Sequence, residues 1–222
     1  MSRINVSKVK SYWKKHGTFR LVKKVVLRIL LPVFSYNPID YYVISGPPQT
    51  RHQPRCPLEI RKGGMEDIDL IVEVLNDKDE AVVRKQIKYF FDIGGELFLA
   101  FSEGKLAHIA RLYHYPGICE VHPLEVGPFI KLKEDEAYIG HCRTHPKFRG
   151  KNIYPVVLRH ITTYVITKNK NRIFGTVSPG NLPSIKGLKK AGFSFVSRKR
   201  MFKLFGRCFN NRWSSSDMIG RD

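Results

Sequence analysis

A short segment in the middle of the chain combines basic residues with glycine in a way that suits anion binding. It runs Pro146-Lys147-Phe148-Arg149-Gly150-Lys151 between a predicted strand and a predicted helix. The first N–H groups of a helix have no partner within the helix, and the helix dipole places partial positive charge there. Arg149 and Lys151 add side-chain charge. The segment therefore predicts a site for a phosphate-bearing ligand, a diphosphate above all, with a solvated basic turn as the alternative.

The elements around this turn are predicted to form a mixed α/β domain. Apolar runs rich in β-formers predict strands at Leu58–Arg61, Glu96–Ser102, Leu106–His114, Ala137–Thr144, Arg172–Val177 and Phe193–Phe205. Helical spacing of apolar residues predicts helices at Met65–Asn76, Val82–Phe91, about Asn152–Thr167 and Leu182–Ala191. Helices flanking a central sheet are expected, and the basic turn joins one strand of that sheet to a helix.

A second segment extends the pattern towards a known family. Asn181-Leu-Pro-Ser184 opens a predicted helix that ends at Ala191-Gly192-Phe193, where the glycine suits a helix C-terminus. With the basic turn and the order of the elements, this segment makes the chain resemble the GNAT superfamily of acyl-CoA-dependent N-acyltransferases from roughly Leu58 to Phe205. The resemblance implies an α/β fold with a mostly antiparallel mixed sheet that is splayed at its central strands. It also implies acetyl-CoA as the acyl donor.

The resemblance assigns cofactor contacts to the matching positions. Backbone groups of the strand through Cys142 and Thr144 would pair with the pantetheine arm of CoA, and the N–H groups of the basic turn would hold its diphosphate. Asn181 would face the pantetheine. The expected cofactor-binding residues are Cys142, Arg143, Thr144, Phe148, Arg149, Gly150, Lys151, Asn152, Ile153, Tyr154, Asn181 and Ser184.

Three positions depart from the family pattern. The turn usually carries small residues where this chain has Asn152 and Tyr154. Asparagine tolerates a left-handed backbone, whereas Tyr154 is bulky and is followed by Pro155. Many members of the family also supply a tyrosine that protonates the leaving thiolate, and the matching residue here is Leu188. We expect diphosphate binding to be retained and the thiolate-protonating role to be vacant at that position.

Direct acetyl transfer to an amine needs a group that takes the amine proton and N–H groups that stabilise the oxyanion. Side chains alternate along a strand, so Tyr138 and Cys142 should share one face. The resemblance places a proton-handling residue on that face near the start of the strand. Tyr138 fits, with Glu136 two residues earlier, and these two are the catalytic candidates. Histidine suits proton transfer near neutral pH, but His141 is expected on the opposite face.

No metal is expected. Two groups of His and Cys could be drawn as zinc ligands: His114 with Cys119 and His122, and His141 with Cys142 and His145. Neither has the spacing of structural zinc sites. The four cysteines are scattered without a C-x-x-C pair, which predicts no disulfide framework and favours a reducing compartment, the cytoplasm.

The positive charge is concentrated at the two ends of the chain. The formal net charge is +20; residues 63–167 carry 13 basic and 15 acidic side chains, whereas residues 1–62 and 168–222 each carry 13 basic and 2 acidic ones. Residues 18–31 predict a basic amphipathic helix whose apolar run is too short to span a membrane. This helix would lie on an anionic membrane surface, at the inner face of the membrane, or pack on protein, its own domain or a second subunit of a homodimer.

The sequence therefore predicts three regions and one enzymatic function. Residues 1–57 are expected to form the basic arm and a proline-rich linker from Tyr36 to Pro57, residues 58–205 the acyltransferase domain, and residues 206–222 a basic tail. The expected acceptor is a primary amine on a small molecule, and a weaker likeness to GNAT proteins of surface-polysaccharide assembly suggests an amino sugar. The alternative is a non-catalytic module that binds CoA or, through the basic flanks, RNA.

Overall fold

The computed structural model describes residues 34–49, 52–75, 79–114, 118–120, 129–204, 207–209 and 212–214. The chain divides into two compact units. One consists of Met1–Asn37 with Arg200–Asn211, and the larger one of Pro38–Lys199 with Arg212–Asp222. The amphipathic helix predicted for residues 18–31, with its membrane and subunit contacts, lies outside the described residues. Much of the predicted tail does so too.

Strands and helices alternate along the chain. The strands are β1 (Phe34–Ser45), β2 (Glu59–Gly63), β3 (Glu96–Ser102), β4 (Lys105–His114), β5 (Ile118–Glu120), β6 (Phe129–Lys131), β7 (Glu136–Thr144), β8 (Arg172–Val177), β9 (Ser194–Leu204), β10 (Arg207–Phe209) and β11 (Arg212–Ser214). The α-helices are α1 (Ile68–Val74), α2 (Glu80–Asp92), α3 (Ile153–Ile166) and α4 (Leu182–Lys190), and 3₁₀ turns cover Met65–Asp67 and Pro146–Phe148. In the smaller unit, the end of β9 pairs antiparallel with β10.

The larger unit is built on a sheet with the strand order β9-β1-β8-β7-β4-β3-β2. The pairs β1–β8, β2–β3, β3–β4 and β4–β7 are antiparallel, and β7–β8 is parallel. A parallel pair requires a crossover, which α3 supplies between β7 and β8. A mostly antiparallel mixed sheet with flanking helices confirms the predicted fold. A separate short sheet has the order β11-β6-β5.

Helices pack on both faces of this sheet. Apolar residues of α3, Val157, Ile161 and Val165 among them, join Phe98 and Ile139 of the strands in one buried cluster. On the opposite face, Phe90 of α2 contacts the ring of Tyr113 on β4 at a centroid distance of 5.0 Å. Burial of these apolar faces, at roughly 25 cal/mol per Å², is what holds the helices to the sheet.

The N-terminal strand β1 corrects the linker prediction for Tyr36–Ser45. This stretch is a strand between β8 and β9, and Tyr41 and Tyr42 are 0% and 3% exposed. Pairing with β8 begins at Asp40, so Pro38, which cannot donate to a ladder, lies outside that register. The aromatic and β-branched run after Pro38 outweighed the prolines that had suggested a linker.

Other predicted elements agree with the structure to within one or two residues at most ends. The predicted helix Met65–Asn76 is the exception: it begins as a 3₁₀ turn, and α1 covers Ile68–Val74. None of the described helices is both long and apolar enough to span a bilayer.

Candidate active site

Strand β7 separates from β8 in the middle of the sheet, and its pairing with β4 is interrupted by a bulge at the same place. Its ladder with β8 ends at Ile139 opposite Gly175, although both strands continue beyond that point. Its ladder with β4 shifts register between Gly140 and Arg143, and His141 adopts a positive φ of 49°. One extra residue in one strand is a β-bulge, which bends the strand and frees local backbone groups from the ladder. The sheet is therefore splayed at its central strands, as predicted.

The basic turn after β7 prepares a helix N-terminus for an anion. Phe148 is 6% exposed and anchors the turn in the core. Gly150 and Asn152 take the left-handed conformation, with φ of 78° and 60°, which confirms that asparagine can serve at this position. Within the described residues, no side chain caps the start of α3. Its first N–H groups thus face outward with the positive end of the helix dipole.

A cavity of about 740 Å³ opens beside this helix N-terminus. It is lined by β7, by the basic turn, by the start of α3 and by α4. Every predicted cofactor-binding residue except Lys151 lines it: Cys142, Arg143, Thr144, Phe148, Arg149, Gly150, Asn152, Ile153, Tyr154, Asn181 and Ser184. The Lys151 ammonium lies over the Phe148 ring instead, and its carbonyl accepts a hydrogen bond from the Arg55 amide.

Residues that sequence reasoning missed complete the cavity wall: His108, Pro155, Pro183, Lys186, Gly187 and Lys190. Lys186 and Lys190 are one helical turn apart on α4, so helical spacing from the predicted start at Asn181 could have found them. Lys190 donates to the Asn152 side chain at 3.0 Å, which ties α4 to the basic turn. None of the lining residues is acidic, so the cavity has the charge that a phosphate-rich ligand requires.

Tyr154 lies in the wall of the cavity without closing it. Its ring packs on α4 at Gly187, where a Cβ would come within 2.2 Å of Tyr154 Cδ1, and on His108 at a centroid distance of 5.5 Å. Its hydroxyl lies near the Cys142 thiol, which donates to the Gly140 carbonyl at 3.7 Å. Burial raises the pKa of Tyr154 well above its ordinary value and raises the pKa of the Cys142 thiol to about 12. Both groups therefore stay protonated at neutral pH, and a reactive thiolate at Cys142 is disfavoured.

The two catalytic candidates lie in different surroundings. The Tyr138 hydroxyl is 2.6 Å from Thr176 Oγ1 and so bridges β7 and β8 just beyond the end of their ladder. Glu136 is fully buried, accepts a hydrogen bond from the Lys133 amide and forms an ion pair with Arg172 at 2.6 Å. Neither lines the cavity. Tyr138 reaches the splay, whereas the carboxylate of Glu136 is engaged by Arg172 at the start of the strand.

The bulge also overturns the expected direction of His141. The rings of Tyr138 and His141 both contact Tyr113 on β4, at centroid distances of 5.8 and 6.4 Å. His141 therefore shares the α2 face with Tyr138, and Cys142 lies on the α3 face with the core cluster. The prediction from strict alternation was wrong because one extra residue in a strand exchanges the faces of all residues beyond it.

His108 is a buried histidine in the cavity wall. It is 1% exposed, and its Nδ1 shares a hydrogen bond of 2.7 Å with Thr144 Oγ1, its partner residue on β7. Its Nε2 has no partner among the described residues. Burial lowers the pKa of His108 from 6.5 to about 3, because the charged form would lose its hydration. The imidazole is therefore neutral at physiological pH.

This shift predicts a dependence of stability on pH. Unfolded His108 takes up a proton below pH 6.5, whereas the folded imidazole stays neutral down to about pH 3. The folded state therefore loses stability as the pH falls through this window, by about 2 kcal/mol from this residue between pH 6.5 and 5. Urea unfolding at pH 7 and pH 5 should show a smaller loss in His108→Gln than in the wild type. Equal losses in the two proteins would contradict the assignment, since all other titrating groups are shared.

The sequence profile of the acetyltransferase (GNAT) family matches residues 66–193, which is more than half of the chain. The matched range includes every residue that lines the cavity. The chain belongs to the GNAT acetyltransferase family. Membership implies acetyl transfer from acetyl-CoA, and the splayed strands, the uncapped helix N-terminus and the basic cavity are features that fit this donor. Among the described residues, no group of three or more His, Cys, Asp or Glu side chains is placed to hold a metal ion.

Solved structures of other GNAT proteins share the fold. An acetyltransferase of the GNAT family from Colwellia psychrerythraea superimposes with a TM-score of 0.58 at 16% identity, over 78% of this chain and 57% of that one. A GCN5-related N-acetyltransferase from Sphaerobacter thermophilus gives a TM-score of 0.57 at 12% identity, over 81% of this chain and 56% of that one. The chain thus spans little more than half the length of these relatives. No curated protein sequence matches it.

Proposed function

We propose that this GNAT protein transfers an acetyl group from acetyl-CoA directly to a primary amine of a small molecule. The observation that carries the proposal is the uncapped N-terminus of α3 opening into a basic cavity beside the bulge of β7. An anion site beside an interrupted strand suits a ligand with a diphosphate at one end and a thioester at the other. When bound, acetyl-CoA supplies the activated acyl carbon.

The residues of the chain divide the remaining tasks. The amides at the start of α3 hold the diphosphate, and Arg149 and Lys186 neutralise further phosphate charge. Backbone groups of β7 from Cys142 to Thr144 pair with the pantetheine arm, and the Cys142 amide stabilises charge on the thioester oxygen. Tyr138, hydrogen-bonded to Thr176, relays the proton of the attacking amine: its oxygen accepts that proton while its own hydroxyl proton passes on to the departing thiolate of CoA. Asn181 caps α4 by accepting from the Ser184 amide, which places both residues in the cavity wall.

The cellular setting is part of the same proposal. The concentration of basic residues in the two flanks supports an acceptor or a surface that carries phosphate, such as a phosphorylated amino sugar or an anionic membrane. We place the protein in the cytoplasm, where acetyl-CoA is available. We expect residues 18–31 either to bind an anionic membrane surface or to pack against a second subunit in a homodimer.

The proposal is tested by CoA affinity and by catalysis. Arg149 lines the cavity, and Lys147 is an exposed residue of the same turn that does not line it. Arg149→Glu should weaken CoA binding in isothermal titration calorimetry by about tenfold or more, because two charge units change next to phosphates. Lys147→Glu changes the net charge equally and should stay within about twofold of the wild type.

Turnover is measured with acetyl-CoA and a panel of amines, by release of free CoA thiol. Release that depends on an amine supports the enzyme. Binding of CoA without release across sugars, polyamines and peptides would favour the non-catalytic module. Equal affinities for CoA in the two charge-reversal variants would contradict the proposal that this cavity binds CoA.

A further inference from the structure

Arg111 on β4 is a buried cation for which the described residues supply no anionic partner. It is 5% exposed, and no other arginine among the described residues is buried. Its guanidinium lies over the Phe90 ring of α2 at 5.3 Å from the centroid. Apart from this stacking, Arg111 makes no hydrogen bond or ion pair with any residue in the part of the chain that the structure describes.

Other arginines of the sheet are more exposed and yet are paired. Arg61 binds Asp67 and Arg172 binds Glu136, both at 2.6 Å, and Arg198 binds Asp40 at 2.5 Å. Their side chains are 41%, 27% and 49% exposed, so water could have solvated each of them in part. Burial of a charge without a counter-charge is strongly unfavourable. Among the described arginines, Arg111 is thus the one that combines burial with the lack of a described counter-charge.

The position of Arg111 is close to the proposed reaction centre. Its register partner on β7 is Gly140, the residue directly before the bulge. Gly140 has no side chain, and the Tyr138 ring occupies the place next to it, since a Cβ on Gly140 would lie 2.6 Å from Tyr138 Cε1. Partner residues of an antiparallel pair point to the same face. Arg111 therefore shares the α2 face with Tyr138 and His141, opposite to the face of Cys142 and the cavity.

We propose that Arg111 binds an anionic group of the amine acceptor, a carboxylate or a phosphate, and so selects amines that carry negative charge close to the amino group. The inference rests on the proposed N-acetyltransferase function. A guanidinium offers parallel N–H donors that match both anions. With the anion on Arg111 and the amine beside Tyr138, one small molecule would span two neighbouring positions of the same sheet face. Its anion would supply the counter-charge that the described residues do not.

The first experiment compares matched pairs of amines as acceptors. The pairs are phosphoethanolamine and ethanolamine, glucosamine 6-phosphate and glucosamine, and L-alanine and L-alaninamide. In the wild type, kcat/KM should be at least tenfold higher for the charged member of one or more pairs. Arg111→Met keeps the volume and removes the charge, and it should reduce that preference to within about twofold. Arg111→Lys should keep part of the preference. Arg84→Met, which removes an arginine of α2 whose side chain is 40% exposed, should leave the preference unchanged.

The second experiment measures binding without turnover. Thermal unfolding is followed at saturating CoA, so that the phosphate site of the cavity is filled, with phosphoethanolamine or inorganic phosphate added. Each should raise the melting temperature of the wild type and of Arg84→Met, and neither should raise that of Arg111→Met. Free phosphate acting as well as phosphoethanolamine would identify the anion alone as the ligand. The melting temperature of Arg111→Met without ligand should equal or exceed that of the wild type, because an unpaired buried charge has been removed.

The outcomes separate this inference from the function on which it rests. If the wild type acetylates amines but treats charged and neutral members alike, the assignment of Arg111 is overturned and the enzyme stands. The same holds if Arg111→Met keeps both the preference and the anion-induced shift. If the wild type neither binds CoA nor acetylates any amine, the proposed function fails. A marked loss of stability in unliganded Arg111→Met would identify a structural role and overturn the inference.

Discussion

Replacement of Tyr138 by phenylalanine should lower kcat for amine acetylation by about two orders of magnitude and leave the KM for acetyl-CoA within about twofold. The variant keeps the ring, which is packed between Gly140 and Tyr113, and removes only the hydroxyl that bonds to Thr176. Loss of a positioned proton-transfer group costs typically 10²–10⁴-fold in rate. The donor site lies on the other face of the sheet, so its affinity should not change. Steady-state kinetics with varied acetyl-CoA at a saturating amine measures both quantities.

A control variant and the pH dependence of the rate test whether the loss comes from proton transfer. Tyr89→Phe removes a hydroxyl from α2, outside the cavity wall and the splay, and should retain full activity. If Tyr138 takes the amine proton, the rate of Tyr138→Phe should recover as the pH is raised towards the pKa of the free amine, since the amine then arrives deprotonated. A kcat within threefold of the wild type at neutral pH would exclude Tyr138 from proton transfer. His141, on the same face, would become the next residue to test.

Gly187→Ala should destabilise the protein by about 2 kcal/mol, which corresponds to a fall in melting temperature of roughly 4–8 °C for a chain of this size. Alanine inside a helix normally stabilises relative to glycine by up to about 1 kcal/mol, so the sign of the effect is diagnostic. It should be reversed here because the new Cβ would lie 2.2 Å from Tyr154 Cδ1. The ring cannot move away easily, since its other side contacts the His108 ring at a centroid distance of 5.5 Å. Thermal unfolding of the purified variant measures the effect.

A double-mutant cycle isolates the contact as the cause. Tyr154→Ala removes the ring and should itself destabilise by opening a void between α3 and α4. In its presence, Gly187→Ala should cost less than it does in the wild type, because the added Cβ then no longer meets the ring. Additive effects of the two substitutions would contradict a direct contact. The cycle thus tests whether the bulky residue of the basic turn is accommodated by the missing side chain of α4.

Local pattern was sufficient to predict most of the fold. The strand β3 and the strand β8 have the predicted limits, and α2 and α3 differ from prediction by one or two residues. The prediction failed at β1 because prolines on either side of Tyr41 and Tyr42 resembled a linker, and only pairing with β8 decides that the segment is a strand. Pairing between residues more than a hundred positions apart leaves no local signal in one sequence.

In the candidate site too, residues with a local sequence pattern were predicted and residues placed by strand pairing were not. Turn chemistry identified the residues from Phe148 to Tyr154, and all of them except Lys151 line the cavity, as the order of strand, turn and helix predicts. The side on which His141 lies could not be predicted, because a bulge depends on how β7 pairs with β4. His108 was missed for the same reason: it reaches the cavity only as the partner of Thr144.

The amino-acid sequence alone determined the family, the basic turn and the order of the elements, since each depends on residues close together in the chain. Only the tertiary structure decided how Tyr154 fits beside Gly187 and which of Tyr138 and Glu136 reaches the splayed part of the sheet. It also decided that Arg111 is buried with no carboxylate of a described residue beside it. These are contacts between elements far apart in sequence, and the free energy of such a contact depends on the geometry that packing imposes.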